Sequence, residues 1–188
     1  MTPEMQAKKT MTIAEFDAWM DELGNTTDTQ YEYIHGEVYE VASNLYASKI
    51  GMRMGGFIFI YLMQNDIGHL TGADGGYKVG DERFVPDVGY ISYTRQAELS
   101  ARGYNAFPPE LAIEVVSNTD NKTEWKKLLK KINSYINADV MVWVVDTDDK
   151  TIDIYQRGEE VKTVGINDML ETETIFPNFR LKVADIFA

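Results

Sequence analysis

Glu114 stands in the run Leu111-Ala112-Ile113-Glu114-Val115-Val116, where every neighbour is apolar. Asp87 sits between Pro86 and Val88, at the head of a second strand-like run. A carboxylate inside a buried strand costs several kcal/mol unless a cation or hydrogen-bond donors satisfy it. For a single buried acid, a structural salt bridge is as good an explanation as chemistry. Two on neighbouring strands point toward a divalent metal. Mg²⁺ takes one or two carboxylates and completes its shell with water and substrate phosphate.

The segment after Glu114 carries the opposite charge. At about 100° per residue, Trp125, Leu128, Leu129, Ile132, Tyr135 and Ile136 fall on one stripe, expected to face a sheet. Lys126, Lys127, Lys130 and Lys131 occupy the rest of the helix, and for three of them a solvated face is the simpler reading. Lys131 differs because it lies at the stripe's edge, beside Leu128 and Tyr135. From there a lysine can lay its stem along the sheet and bring its ammonium to the strand acids.

Other chemistries fall away. The chain has no cysteine, which removes disulfides, thiolate zinc sites and cysteine nucleophiles. Its two histidines, His35 and His69, are too far apart for a helical zinc motif. Gly72-Ala73-Asp74-Gly75-Gly76 lacks the Lys-Ser/Thr ending of a phosphate loop, and Ser117 is not in a GxSxG elbow. Asp146-Thr147-Asp148-Asp149-Lys150 has neither the glycine nor the final glutamate of a calcium loop, so it reads as a turn.

The elements that must position these residues can be read in outline. The 188 residues, 44% of them hydrophobic, suit one globular domain, with residues 1–11 as a loose tail and 12–188 as the domain. Thr12-Ile13-Ala14-Glu15 reads as a capping box opening a helix that stops near Gly24. Tyr31–Ile34 and Glu37–Val41 flank His35-Gly36 as a hairpin. Residues 46–64 form a long, largely buried helix. Strands follow near 77–79 and 88–93, and a helical stretch near 96–101. A buried strand spans 111–116, a second long helix 121–137 and another apolar strand 140–146. A hairpin covers 151–164, and Val183–Phe187 closes the chain as a short apolar segment. The pattern predicts a mixed α/β or α+β fold around a central sheet. The longest apolar run, Phe57–Met63, is too short to span a bilayer, and the N-terminal residues do not resemble a signal peptide, so a cytoplasmic protein without a membrane partner is expected.

Taken in order, Pro86-Asp87-Val88, Pro109 to Ser117, Lys131 with Tyr135, and Val142-Trp143-Val144-Val145-Asp146 resemble the Uma family of restriction-endonuclease-like proteins, within the PD-(D/E)xK nuclease superfamily. Tyr31-Glu32-Tyr33-Ile34-His35-Gly36-Glu37 is similar to that family's upstream hairpin. The resemblance implies a restriction-endonuclease-like core, a mixed central sheet flanked by helices. It makes Asp87 and Glu114 metal-binding acids, with the Val115 carbonyl as a further ligand and Glu32 acting on the metal through water. One departure matters: the superfamily's lysine usually lies two residues after the second acid, where this chain has Val116. The family's lysine has moved to the following helix, which matches Lys131, with Lys127 or Lys122 as alternatives.

The reading that follows is Mg²⁺-dependent hydrolysis of DNA phosphodiesters, with Mn²⁺ as a substitute and Asp87, Glu114 and Lys131 as the catalytic set. The alternative is a catalytically degenerate relative that binds nucleic acid or a protein, favoured by Val116 and by the net charge of −12. Nuclease relatives often pair subunits, so a homodimer is expected.

Overall fold

A computed structural model describes residues 9–23, 29–41, 44–117 and 121–188. The expected helix stop at Gly24 and the first eight residues of the tail lie outside them. Strand β1 (Lys9–Thr10) leads into α1 (Ile13–Leu23). The Thr12 hydroxyl accepts from the Glu15 amide while the Glu15 carboxylate accepts from the Thr12 amide, forming the anticipated capping box. Strands β2 (Tyr31–Ile34) and β3 (Glu37–Glu40) turn through His35 and Gly36, both at positive φ (49° and 86°) as a two-residue hairpin turn of this hand requires. Residues 9–11 are tied down: β1 pairs with β3, and the Met11 amide bonds the Gly36 carbonyl.

Helix α2 (Leu45–Gln64) is followed by β4 (Gly68–Gly72), β5 (Tyr77–Val79), β6 (Glu82–Phe84) and β7 (Val88–Ser92). Next come β8 (Leu111–Val116), α3 (Lys122–Asn137) and β9 (Met141–Asp146), then the hairpin of β10 (Thr151–Tyr155) and β11 (Lys162–Val164). Strands β12 (Met169–Glu171) and β13 (Arg180–Lys182) pair before α4 (Val183–Phe187).

Two larger sheets result. One runs β1-β3-β2-β6-β5 and the other β11-β10-β9-β8-β7-β4. In the second, β8 and β9 are parallel, joined by α3 as a crossover, while its other pairs are antiparallel. Alternation along its strands sends Val88, Tyr90, Ile113 and Trp143 toward α2, where they pack with Ile50, Met54, Ile58 and Leu62. Ala112, Val142 and Val144 point the other way, onto Leu128, Ile132 and Tyr135 of α3. Glu114 shares the α3 face with Ala112, two residues before it.

Several expectations need correction. Residues 96–101 are not helical. The Asn105 side-chain oxygen accepts from the Ser100 amide and the Gln96 side chain, and these tertiary bonds fix an irregular loop. Helix α2 buries only its inner face and leaves Leu45, Met52, Phe59, Ile60 and Met63 exposed. Leu129 is exposed too, so the sheet-facing stripe of α3 is narrower than its apolar residues suggested. The short strands β4, β6, β12 and β13 have no clear alternation in the sequence. Val183–Phe187 is one helical turn and a half. Among the described residues, no helix is long and apolar enough to cross a membrane.

Candidate active site

The two sheets meet at one end of β8, and the charged residues converge there. Lys131 is 4% exposed, with its Nζ 2.7 Å from Glu32 Oε1 and 2.7 Å from Glu114 Oε2. Glu32 comes from β2 of the first sheet and Glu114 from β8 of the second, so a single ammonium joins them. Lys131 reaches this position because it follows Leu128 by three residues and precedes Tyr135 by four, on the buried side of α3. Its ammonium also lies 5.6 Å from the centroid of the Phe84 ring.

The segment crossing from β6 to β7, Val85-Pro86-Asp87, is stitched to both sheets. The Val85 amide donates to Glu32 Oε1 at 3.0 Å, and Asp87 Oδ2 accepts from the Val115 amide at 2.7 Å. The Thr147 amide bonds the Val116 carbonyl and the Met141 amide bonds that of Glu110. Even-numbered residues of β8 therefore turn their backbone groups toward β9. Val115 turns its own toward Asp87, where β7 has not yet begun.

Glu114 is bracketed by donors, with Lys131 on Oε2 and the Tyr135 hydroxyl on Oε1 at 3.1 Å. Burial nonetheless holds its carboxyl above the usual carboxylate range, helped by the charges of Glu32 and Asp87 and opposed by Lys131. Burial pushes Glu32 upward as well, but the charges of Lys131 and Lys127, together with bonds from Lys131 and the Val85 amide, outweigh it and hold Glu32 below that range. Asp87 is raised by burial, with the Val115 amide pulling the other way. For Lys131, burial works against the charge, but Glu114 and Glu32 outweigh it and raise its pKa, so the ammonium stays protonated.

The other helix lysines separate clearly. Lys127 is not on a solvated face: its Nζ lies 3.1 Å from Glu32 Oε2 and 4.9 Å from the centroid of the Tyr39 ring. Lys130, half-exposed, bonds Glu37 at 3.1 Å. Lys126 and Lys122 are exposed, Lys122 in the first turn of α3, away from the cluster. The Tyr135 bond to Glu114 and the Lys127 pair with Glu32 are contacts that helical periodicity alone does not specify. The signal for Tyr135 was its place four residues after Lys131 on the same stripe. The signal for Glu32 was the one that marked Glu114, an acid among strand residues.

Asp87 opens onto a groove of about 400 Å³ between α2 and β4, bounded by Gly51, Gly55, Thr71 and Gly72. Among the described residues, no three Asp, Glu or His side chains form a ready metal cage. The donor set still suits a hard cation. Asp87 commits one oxygen to the Val115 amide, the Val115 backbone faces it, and Glu114 is the neighbouring residue on β8. Glu32 has both oxygens bound to lysines and is the poorest candidate, whereas Glu114 would need to exchange only the Tyr135 hydroxyl on Oε1 for an ion.

A mixed sheet flanked by helices, with acids and a buried lysine gathered at one end, defines a nuclease-like α+β fold. The crystal structure of a putative nuclease of DUF820 from Anabaena variabilis ATCC 29413 shares it, with a TM-score of 0.76 at 21% identity, over 94% of this chain and 97% of that one. The chain belongs to the Uma2 family, described as putative restriction endonuclease, whose model matches residues 13–184. No curated protein matches it.

Proposed function

We propose that this protein is a divalent-metal-dependent endonuclease that hydrolyses DNA phosphodiesters. The observation that carries the reading is the buried Lys131 held 2.7 Å from Glu114, at the strand end where Asp87 meets the Val115 backbone. Asp87, Glu114 and the Val115 carbonyl would hold Mg²⁺ or Mn²⁺, which when bound supplies a Lewis acid and lowers the pKa of coordinated water. Lys131, kept protonated by its two carboxylates, acts by stabilising negative charge on the phosphate. It is no general base. Glu32 orients it, with Lys127 and the Val85 amide holding Glu32 in turn. The side chain that Val116 lacks is thus supplied from α3.

The test is cleavage of DNA by purified protein with Mg²⁺ or Mn²⁺ at low salt, against the Asp87→Asn/Glu114→Gln double variant prepared identically. Activity should fall steeply with salt, since a chain of net charge −12 attracts phosphate only locally. Ca²⁺ should support binding without cleavage. Equal cleavage by the two proteins, or none of DNA by either, overturns the reading. Binding of DNA without cleavage would leave the degenerate nuclease fold in its place.

A further inference from the structure

The groove onto which Asp87 opens has walls that the chemistry proposed above leaves unused. Met52 and Phe59 of α2 border it on one side and Leu70 and Val88 on the other. A Cβ on Gly51 would stand 3.5 Å from the Asp87 Cβ, so the groove begins directly against the acid. Its volume of about 400 Å³ falls within the range of small-molecule sites and has room for one nucleoside, not for a duplex. We propose that the groove takes one unpaired base beside the scissile phosphate. The preferred substrate is then single-stranded DNA, or a duplex carrying an unpaired nucleotide. This inference rests on the endonuclease reading and names the form of its substrate.

Three observations favour that occupant. The first is charge. Asp87 is the one charged residue bordering the groove, so a phosphate would find no cation inside it, and what enters is an uncharged part of the substrate. The cation stands on the rim: Lys49 precedes Met52 by three residues and lies beside it on the helix. Helix α2 has no Asp or Glu in its 20 residues, so the phosphates flanking the base can pass along it unrepelled. The second observation is the lip. Met52 (77% exposed) and Phe59 (57%) are seven residues apart and share one line of the helix, presenting open apolar faces. A paired base is already stacked on both sides, and only an unpaired one has a face to offer Phe59. Such stacking supplies affinity that a chain of net charge −12 cannot draw from phosphate alone. The third is the state of the polar groups. The Thr71 hydroxyl bonds the Tyr77 hydroxyl at 2.8 Å and the Gly89 carbonyl at 3.4 Å. Stacking is therefore the means of capture, and it tolerates any base.

The test compares a fluorescein-labelled single strand, its full duplex and the same duplex with one bulged nucleotide, by anisotropy in Ca²⁺ and by cleavage in Mn²⁺. The single strand and the bulged duplex should bind about tenfold more tightly than the full duplex, and be cut faster. Phe59→Ala should weaken single-strand binding about fivefold or more, the lower end of what losing one stacking side chain costs. Gly56→Leu fills the groove from a position where a Cβ meets nothing within 4 Å. Because it also replaces a helical glycine, it should keep or raise the Tm while losing the same affinity. A full duplex bound and cut as well as the bulged one overturns the inference and leaves the endonuclease standing. So does wild-type affinity for the single strand in both variants, which would assign the groove to an occupant other than a base. If no oligonucleotide is bound or cut, the endonuclease reading itself falls, and the inference with it.

Discussion

Lys131→Met removes the ammonium between Glu32 and Glu114 while keeping an unbranched side chain in its buried channel. The two acids do not suffer equally. Glu32 retains Lys127 at 3.1 Å and the Val85 amide at 3.0 Å, whereas Glu114 is left with the Tyr135 hydroxyl. The cost therefore falls on one buried carboxylate, and stripping a partner from a buried pair costs about 3–5 kcal/mol. At roughly 2–4 °C per kcal/mol for a chain of this size, the Tm should drop by about 10 °C. The effect carries a pH signature. Glu114's folded pKa already exceeds its unfolded value, and losing Lys131 raises it further. A carboxyl raised in this way supports the fold fully below its unfolded pKa, and that support is lost as pH rises through the folded pKa. The deficit should be largest near pH 8 and shrink toward about pH 5, as Glu114 takes up a proton. Glu32, with a depressed pKa, is lost only at lower pH and does not confuse that window. Thermal melts by circular dichroism at both pH values test this. The double variant Lys131→Met/Glu114→Gln should recover most of the loss by removing the stranded charge. A Lys131→Met protein melting within about 2 °C of wild type at both pH values, or a double variant no more stable than the single one, would refute the buried-charge account.

Asp87→Asn or Glu114→Gln should abolish Mn²⁺ binding in a calorimetric titration while leaving the fold intact; unchanged affinity in both variants sinks the metal assignment. Lys131→Met, assayed well below its lowered Tm, should cut DNA cleavage by about 100-fold or more with little change in Mn²⁺ affinity. If Lys127→Met loses activity and Lys131→Met keeps it, the roles of the two lysines are exchanged. Gly89→Ala should cost about 1–3 kcal/mol in denaturant unfolding. Its new Cβ would lie 2.7 Å from the Tyr77 ring and 2.9 Å from the Thr71 hydroxyl, forcing apart the Tyr77–Thr71 hydrogen bond; a wild-type midpoint would contradict this packing.

Those residues were legible to different degrees. Glu114 and Lys131 declared themselves because an acid among five apolar strand residues, and a lysine at the edge of an apolar helix stripe, each violate the local pattern. Asp87 needed its Pro-Asp-Val context and a partner strand before it meant anything. Helical periodicity places Lys127 away from the stripe and so predicts a solvated lysine, but periodicity says nothing of a second sheet rising beside the helix. That sheet supplies Glu32 and Tyr39, which turn an apparently outward position inward. Strands β4 and β6 are illegible in the sequence for a similar reason. Gly-His-Leu-Thr-Gly and Glu-Arg-Phe have little intrinsic strand preference and are held by pairing with β7 and by β2 and β5. The 96–101 loop failed in the opposite direction, its side-chain anchors lying at Asn105, beyond any local window.

Lys131 stands 17 residues from Glu114 but 99 from Glu32. Its first bond belongs to a β-α-β unit that can close over a short stretch of chain, and its second waits until the N-terminal sheet has travelled the longer loop. During refolding the lysine should therefore bind Glu114 before Glu32, giving an interval in which the C-terminal sheet is formed but its charges are unbalanced. The Val85 amide bonds Glu32 within the N-terminal sheet, beside the pairing of β2 with β6, and so marks when that longer-range sheet has formed. In a pulsed hydrogen-exchange experiment its protection should lag that of the β8 and β9 amides. A chain stalled in between would hold native-like strands and no functioning site, so recovery of the site measures assembly of the whole molecule instead of the sheet that bears Glu114.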